Sequence, residues 1–254
     1  FRVSSLHYVL ILNTNEYQHF LGEDALDSIK QYDDGHVFTA WVALIGTVMA
    51  ATCLLCFLAV TGFDLHQIFK PEFALTLSAK DQALFRTSMI SDCFGFYLPF
   101  LAVGVYLWRK LRPSGGLLSD IAILFLVIST MLGITGAALQ ASVLGPLAET
   151  YMSGNEIAKQ AAGTVWATIS QGSQNGLWPM EGPTIGFWAI VNGLLLRKNK
   201  SVLGFPLVLV GLGYVGFAVL LFSGFSQAAL FLELFLLPVQ VVWLGIFGLS
   251  LLQR

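Results

Sequence analysis

The sequence predicts an all-α fold: a polytopic transmembrane helix bundle of about six spans, with an amphipathic N-terminal segment and an extracytoplasmic interfacial helix. Three observations carry this reading. Long apolar stretches recur, and short loops between them hold most of the charge. The 254 residues are 56% hydrophobic and only 11% charged, against about 25% charged in soluble domains. Mean hydropathy is +0.75. The runs are also continuous rather than alternating, which argues against the strands of roughly ten residues that build a β-barrel. In lipid, such runs pair their own backbone N–H and C=O groups as helices.

The clearest runs are Val37–Gly62, Phe94–Trp108, Ile121–Pro146, Thr184–Leu196, Val202–Gly224 and Ala228–Leu252. About 20 apolar residues cross a hydrocarbon core of roughly 30 Å. Two regions follow: an acidic N-terminal segment, 1–35, and a membrane domain, 36–254. Glu16–Gln31 reads as an amphipathic helix for a membrane surface or a partner, with Phe20, Leu21, Leu26 and Ile29 available to one face. After the first span, Phe69-Lys70-Pro71 reads as a turn. Ala79–Phe85 reads as a helix leading into a second span, Phe85–Trp108. Trp108-Arg109-Lys110 is an interfacial anchor, an aromatic followed by snorkelling cations. Pro113-Ser114-Gly115-Gly116 reads as a turn, and Pro146 as the close of span three. Ile157–Ser170 reads as the interfacial helix, with Val165, Trp166 and Ile169 on its apolar side. Gly176–Pro183 reads as a breaker-rich bend, which leaves span four short. Spans five and six join tightly around Ser223–Gln227.

Lys and Arg in short loops set the orientation. Arg109, Lys110 and Arg112 fall on the same side as Arg197, Lys198 and Lys200 in a six-span chain, which places both termini in the cytoplasm. Lys70, Lys80 and Arg86 then lie outside, against the trend. Net charge is −2, so no basic surface suggests nucleic acid. No signal-peptide pattern is visible, and the start at Phe1 leaves open a processed or truncated beginning.

Several patterns resemble chemistry without its context. Gly211, Gly213 and Gly216 match a dinucleotide fingerprint, which needs a strand before it and a helix after it. Inside an apolar span they read as a small-residue surface for helix packing, as do Gly133 and Gly136. Cys53 and Cys56 have redox-motif spacing but read, with Cys93, as small buried hydrophobes. The four histidines, His7, His19, His36 and His66, form no metal-ligand pattern. No catalytic residue and no metal ligand is assigned, and the cofactor is unknown. The aromatics suit pigment, quinone or lipid tails alike.

Polar and ionisable residues within spans are costly and default to functional hypotheses. Asp92 lies about two turns into span two, Gln140 and Ser142 near the end of span three, Glu181 at the bend before span four, and Glu233 one to two turns into span six. All four of Asp92, Gln140, Glu181 and Glu233 converge on the outer third of the bundle, where they would line an acidic vestibule for a cation, an amine or a lipid headgroup. Each carboxylate also reads as an interfacial group or as a helix-start charge favoured by the macrodipole. Asp120 reads as such a charge, and Asn192 as an interhelical hydrogen bond.

Phe85-Arg86-Thr87-Ser88-Met89-Ile90-Ser91-Asp92, Asn192–Arg197, Leu203-Gly204-Phe205-Pro206, Gly211–Tyr214, and Trp243-Leu244 followed by Gly248 together resemble the DUF4386 family of bacterial six-span membrane proteins. The resemblance runs from Val37 to the C-terminus. It implies six spans with cytoplasmic ends in a bacterial plasma membrane, and it marks Asp92 as a family-type position. The chain departs from it in the acidic N-terminal segment and in carrying Gln240 where an acidic residue is expected. The resemblance supplies no reaction. Three functions follow from the residues. The first is a non-catalytic accessory or scaffold subunit whose partners are lipid and other membrane subunits. The second is a carrier or sensor using the vestibule. The third is an intramembrane enzyme.

Overall fold

The structure is a computed structural model, and it describes residues 35–62, 64 and 67–253. The amphipathic segment expected over Glu16–Gln31 lies outside the described residues. Helix α1 spans Gly35–Thr61. A short helix α2, Pro71–Ala74, follows Lys70 and starts on a proline, whose missing N–H costs nothing in a first turn. Helix α3 covers Ala79–Asp92, and its N-cap Ser78 accepts from the Asp81 N–H at 3.2 Å. Helix α4 covers Leu98–Gly115 and α5 covers Leu117–Ser153. Helix α6 is Glu156–Gly172, capped by Asn155; α7 is Glu181–Lys198; α8 is Gly204–Phe222; α9 is Ser226–Leu252.

Five stretches among the described residues are long and apolar enough to cross a membrane: Gly35–Thr61, Ala79–Gly115, Leu117–Ser153, Gly204–Phe222 and Ser226–Leu252. The chain is an integral membrane protein of the all-α class. Helix α7 is not one of the five. Its 18 residues include Glu181, Arg197 and Lys198, and at 1.5 Å per residue it is about 27 Å long.

Three expected breaks are not breaks. Helix α4 continues through Pro113, and only Gly116, at φ 51°, turns the chain. Left-handed backbone at that one residue is what a side chain would oppose. Helix α5 continues through Pro146 to Ser153. The expected bend at Gly176–Pro183 is helical throughout: a wide turn over Ser173–Leu177 and a tight one over Trp178–Met180 carry α6 into α7. A matching wide turn, Cys93–Tyr97, carries α3 into α4. In each, a residue bonds five back, Leu98 N–H to Cys93 O and Trp178 N–H to Ser173 O. Each wide turn is followed, two residues on, by a proline, Pro99 or Pro179. Proline gives no N–H and crowds the carbonyl four residues earlier, and an expanded turn relieves both defects without ending the helix.

The helices close a ring: α1 packs on α3, α3 on α5, α5 on α7, α7 on α8, α8 on α9, and α9 back on α1. In lipid, apolar burial drives little helix association, so close backbone approach carries it. The α7–α8 seam shows how. A Cβ on Gly186 would sit 2.9 Å from Gly211 O, and one on Gly193 would sit 2.8 Å from Gly204 O. Short connections make consecutive spans antiparallel, α3 and α4 forming one of them. One end of the ring therefore gathers the end of α1, the start of α3 and the loop between α8 and α9. The other gathers the α4–α5 and α7–α8 corners. At that second end aromatic rings fill the centre: Phe100 meets Trp188 at 6.0 Å, and Trp243 stacks on Phe247 at 5.1 Å. The α4–α5 corner is tied by Asp120, which accepts from Trp108 Nε1 at 2.8 Å and Arg112 Nε at 2.7 Å.

Helix α6 lies outside the ring against α5. Its Trp166 is fully buried and donates to Ile68 O at 2.9 Å. Val165, expected on the apolar side, is 44% exposed, because adjacent helix positions are about 100° apart.

Candidate functional site

At the first end the ring is hollow. A cavity of about 410 Å³ opens between α1, α3, α7, α8 and α9, within the range of small-molecule sites. Asp92 is the last residue of α3, directly before the wide turn. Glu181 opens α7, directly after the tight turn. Glu233 stands near the start of α9. All three carboxylates line the cavity. The first expanded turn thus sets Asp92, the expanded and tight turns together set Glu181, and the α8–α9 hairpin sets the third.

The neighbouring groups hold this arrangement. Tyr97 ends the first wide turn and donates its hydroxyl to Glu181 Oε1 at 3.1 Å, with both residues buried. Its ring lies directly over Gly133 of α5, where any Cβ would overlap it. Trp178 is seated in the same way over Gly136: a Cβ there would be 2.7 Å from Nε1. On the opposite wall the Tyr214 hydroxyl donates to Gln240 Oε1. Gln240 lines the cavity and is only 2% exposed, with its amide oxygen taken up by Tyr214. Proline at 238 leaves the Leu234 carbonyl without its usual helical donor, and both residues line the cavity. An adjoining chamber of about 290 Å³ shares Glu233 and Gln174 and adds Gln171, Asn175 and Ser226.

The walls otherwise are apolar and aromatic, including Phe57, Phe96, Trp178 and Phe217. Among the described lining residues there is no Lys, Arg or His. A carboxylate in a low-dielectric space keeps its charge only beside a counter-charge. Among the described residues no three of His, Cys, Asp or Glu lie close enough to hold a metal ion, so the carboxylates are spread around the space rather than focused on one point.

Three of the four residues expected in the vestibule, Asp92, Glu181 and Glu233, meet in the cavity. Gln140 does not line it. It is 1% exposed on α5, and its amide nitrogen has no partner among the described residues. Ser142 is exposed and donates to Leu139 O of its own helix at 2.9 Å. Asn192 is not an interhelical bond: its Nδ2 donates to Trp188 O, one turn back, at 2.9 Å.

The glycines divide by what they meet. Gly211 packs on the α7 backbone as expected. Gly213 meets the Leu236 side chain of α9, and Gly216 makes only ordinary contact with Leu232. Gly133 and Gly136 seat aromatic rings of the cavity wall rather than a helix backbone. Cys53 and Cys56 form no disulfide.

Sequence reasoning missed Tyr97, Tyr214, Trp178 and, as a site residue, Gln240. One signal was readable: Gln240 lies seven residues after Glu233, hence on the same helical face. Tyr97 follows Asp92 by five, a spacing that shares a face only when the turn between them is widened. No family model, no curated protein and no solved structure matches the chain.

Proposed function

We propose that this integral membrane protein binds a small organic cation in the acidic cavity and acts as a carrier or sensor for it. The observation that carries the reading is three carboxylates from three helices facing one apolar cavity whose described lining residues include no basic group. An organic cation supplies the counter-charge, and its apolar body suits the aromatic walls. An ion alone would leave those walls unused.

In this reading α7 is a sixth span. Its 18 residues nearly cross the hydrocarbon core, and the preceding turns extend it. Six passes put the Arg109–Arg112 and Arg197–Lys200 clusters on one side, which is the cytoplasmic side by the bias of Lys and Arg. The cavity then opens outward. A bacterial plasma membrane and kinship with the DUF4386 family rest on the residues quoted above for that resemblance. Outward apolar side chains such as Trp41, Ile45 and Val48 of α1 face lipid, the expected partner. An accessory role with other subunits would use the same faces, but it leaves the cavity without a purpose.

The test uses two ions of one shape and opposite charge. Purified protein in lipid nanodiscs is titrated with tetraphenylphosphonium and with tetraphenylborate. Saturable binding of the cation, absent for the anion and lost in Asp92→Asn/Glu181→Gln/Glu233→Gln, is expected. Equal binding of both ions, or cation binding that survives the triple substitution, refutes the reading.

A further inference from the structure

The amide of Gln240 narrows the ligand. It lines the cavity wall, where its polar atoms meet whatever the cavity holds. Here Tyr214 holds the oxygen end of the amide, which leaves the nitrogen end to the cavity. Glu233 and Gln240 stand on the same face of α9, two turns and about 10 Å apart. Glu233 also borders the polar outer chamber, whereas Gln240 does not. Glu233 therefore stands toward the outer chamber and the Gln240 amide deeper in the cavity, with Asp92 and Glu181 elsewhere on its wall. Trp178 and Phe217 line the apolar part of its wall.

We infer that the ligand is an amine whose apolar, ring-sized body carries a hydroxyl at its far end, with the ammonium held at Glu233 and the hydroxyl held by Gln240. This rests on the cation reading above. A hydroxyl both donates and accepts, so it satisfies the amide whichever of its ends faces the cavity. A site built to bond a hydroxyl rejects the analogue lacking it, because its own buried group is then stranded.

Tyramine and phenethylamine differ by that one oxygen. Titration calorimetry on the full chain in nanodiscs should give tyramine an advantage of about tenfold. The ratio of the two affinities should fall toward one in Gln240→Met, and should fall part of the way in Tyr214→Phe, which frees the amide without removing it. Circular dichroism and gel filtration of each variant report folding, and if Gln240→Met fails to fold, Tyr214→Phe decides. Equal affinity for both amines in the unaltered protein overturns the inference while leaving the cation reading standing, provided that binding requires the carboxylates. A tyramine advantage that Gln240→Met and Tyr214→Phe leave intact also overturns it. If neither amine binds but tetraphenylphosphonium does, the hydroxyl-amine class fails alone. If no cation binds, both fail together.

Discussion

Gly133→Ala tests whether α5 shapes the cavity through Tyr97. The helix itself favours alanine by about 0.5–1 kcal/mol. Against this, the new Cβ overlaps the Tyr97 ring. Forcing a methyl into a filled space costs about 1–3 kcal/mol. The ring can instead swing away, which gives up the 3.1 Å bond to Glu181. Leaving a buried hydrogen-bonding group without its partner costs about 1–3 kcal/mol, so either course ends in the same range. Gly216→Ala is the control, because its Cβ would make only ordinary contact, 3.5 Å from Leu232. Reversible unfolding by SDS in mixed micelles should place Gly133→Ala below Gly216→Ala by about 1–3 kcal/mol. In a Tyr97→Ala background the penalty should vanish, giving a coupling above about 0.5 kcal/mol. Additive effects of the two substitutions would refute the argument that this glycine acts by seating this ring.

Three further outcomes follow from the packing. Gly186→Ala places a Cβ 2.9 Å from Gly211 O on a backbone that cannot rotate aside, so its loss of stability in the same assay should equal or exceed that of Gly133→Ala. Trp166→Phe removes the bond to Ile68 O and should cost about 0.5–1.5 kcal/mol, read as faster proteolysis of the connection between α1 and α3. In a cysteine-free background, Lys200→Cys should react with an impermeant maleimide only from the cytoplasmic side, and Gln227→Cys only from the outside; the opposite pattern refutes the proposed orientation.

The class of fold was legible because its cause is local. A run such as Ala228–Leu252 has to pair its own backbone in lipid whatever surrounds it, and α9 runs Ser226–Leu252. Breaks were less legible. Pro113 and Pro146 read as stops, yet both helices continue, because a helix held by its neighbours tolerates one lost bond. The same confusion hid the site. Gly176–Pro183 looks like a bend from its residue types alone. The expanded and tight turns there keep the helix going and bring Glu181 to the cavity wall.

The sequence by itself determined that the chain lies in a membrane and which stretches are its long apolar helices, and it put Asp92, Glu181 and Glu233 toward one end. Those are matters of residue type and position along single helices. Only the tertiary structure decided that these three share a cavity while Gln140, at a comparable depth, stays apart from it. Facing is set by the rotation of each helix about its axis. That rotation depends on where another helix leaves room: at Gly186 for α8, at Gly133 for Tyr97, and at Gly136 for Trp178. A glycine says in sequence that something can come close. It does not say what, and here the difference separates a packing seam from the wall of a binding site.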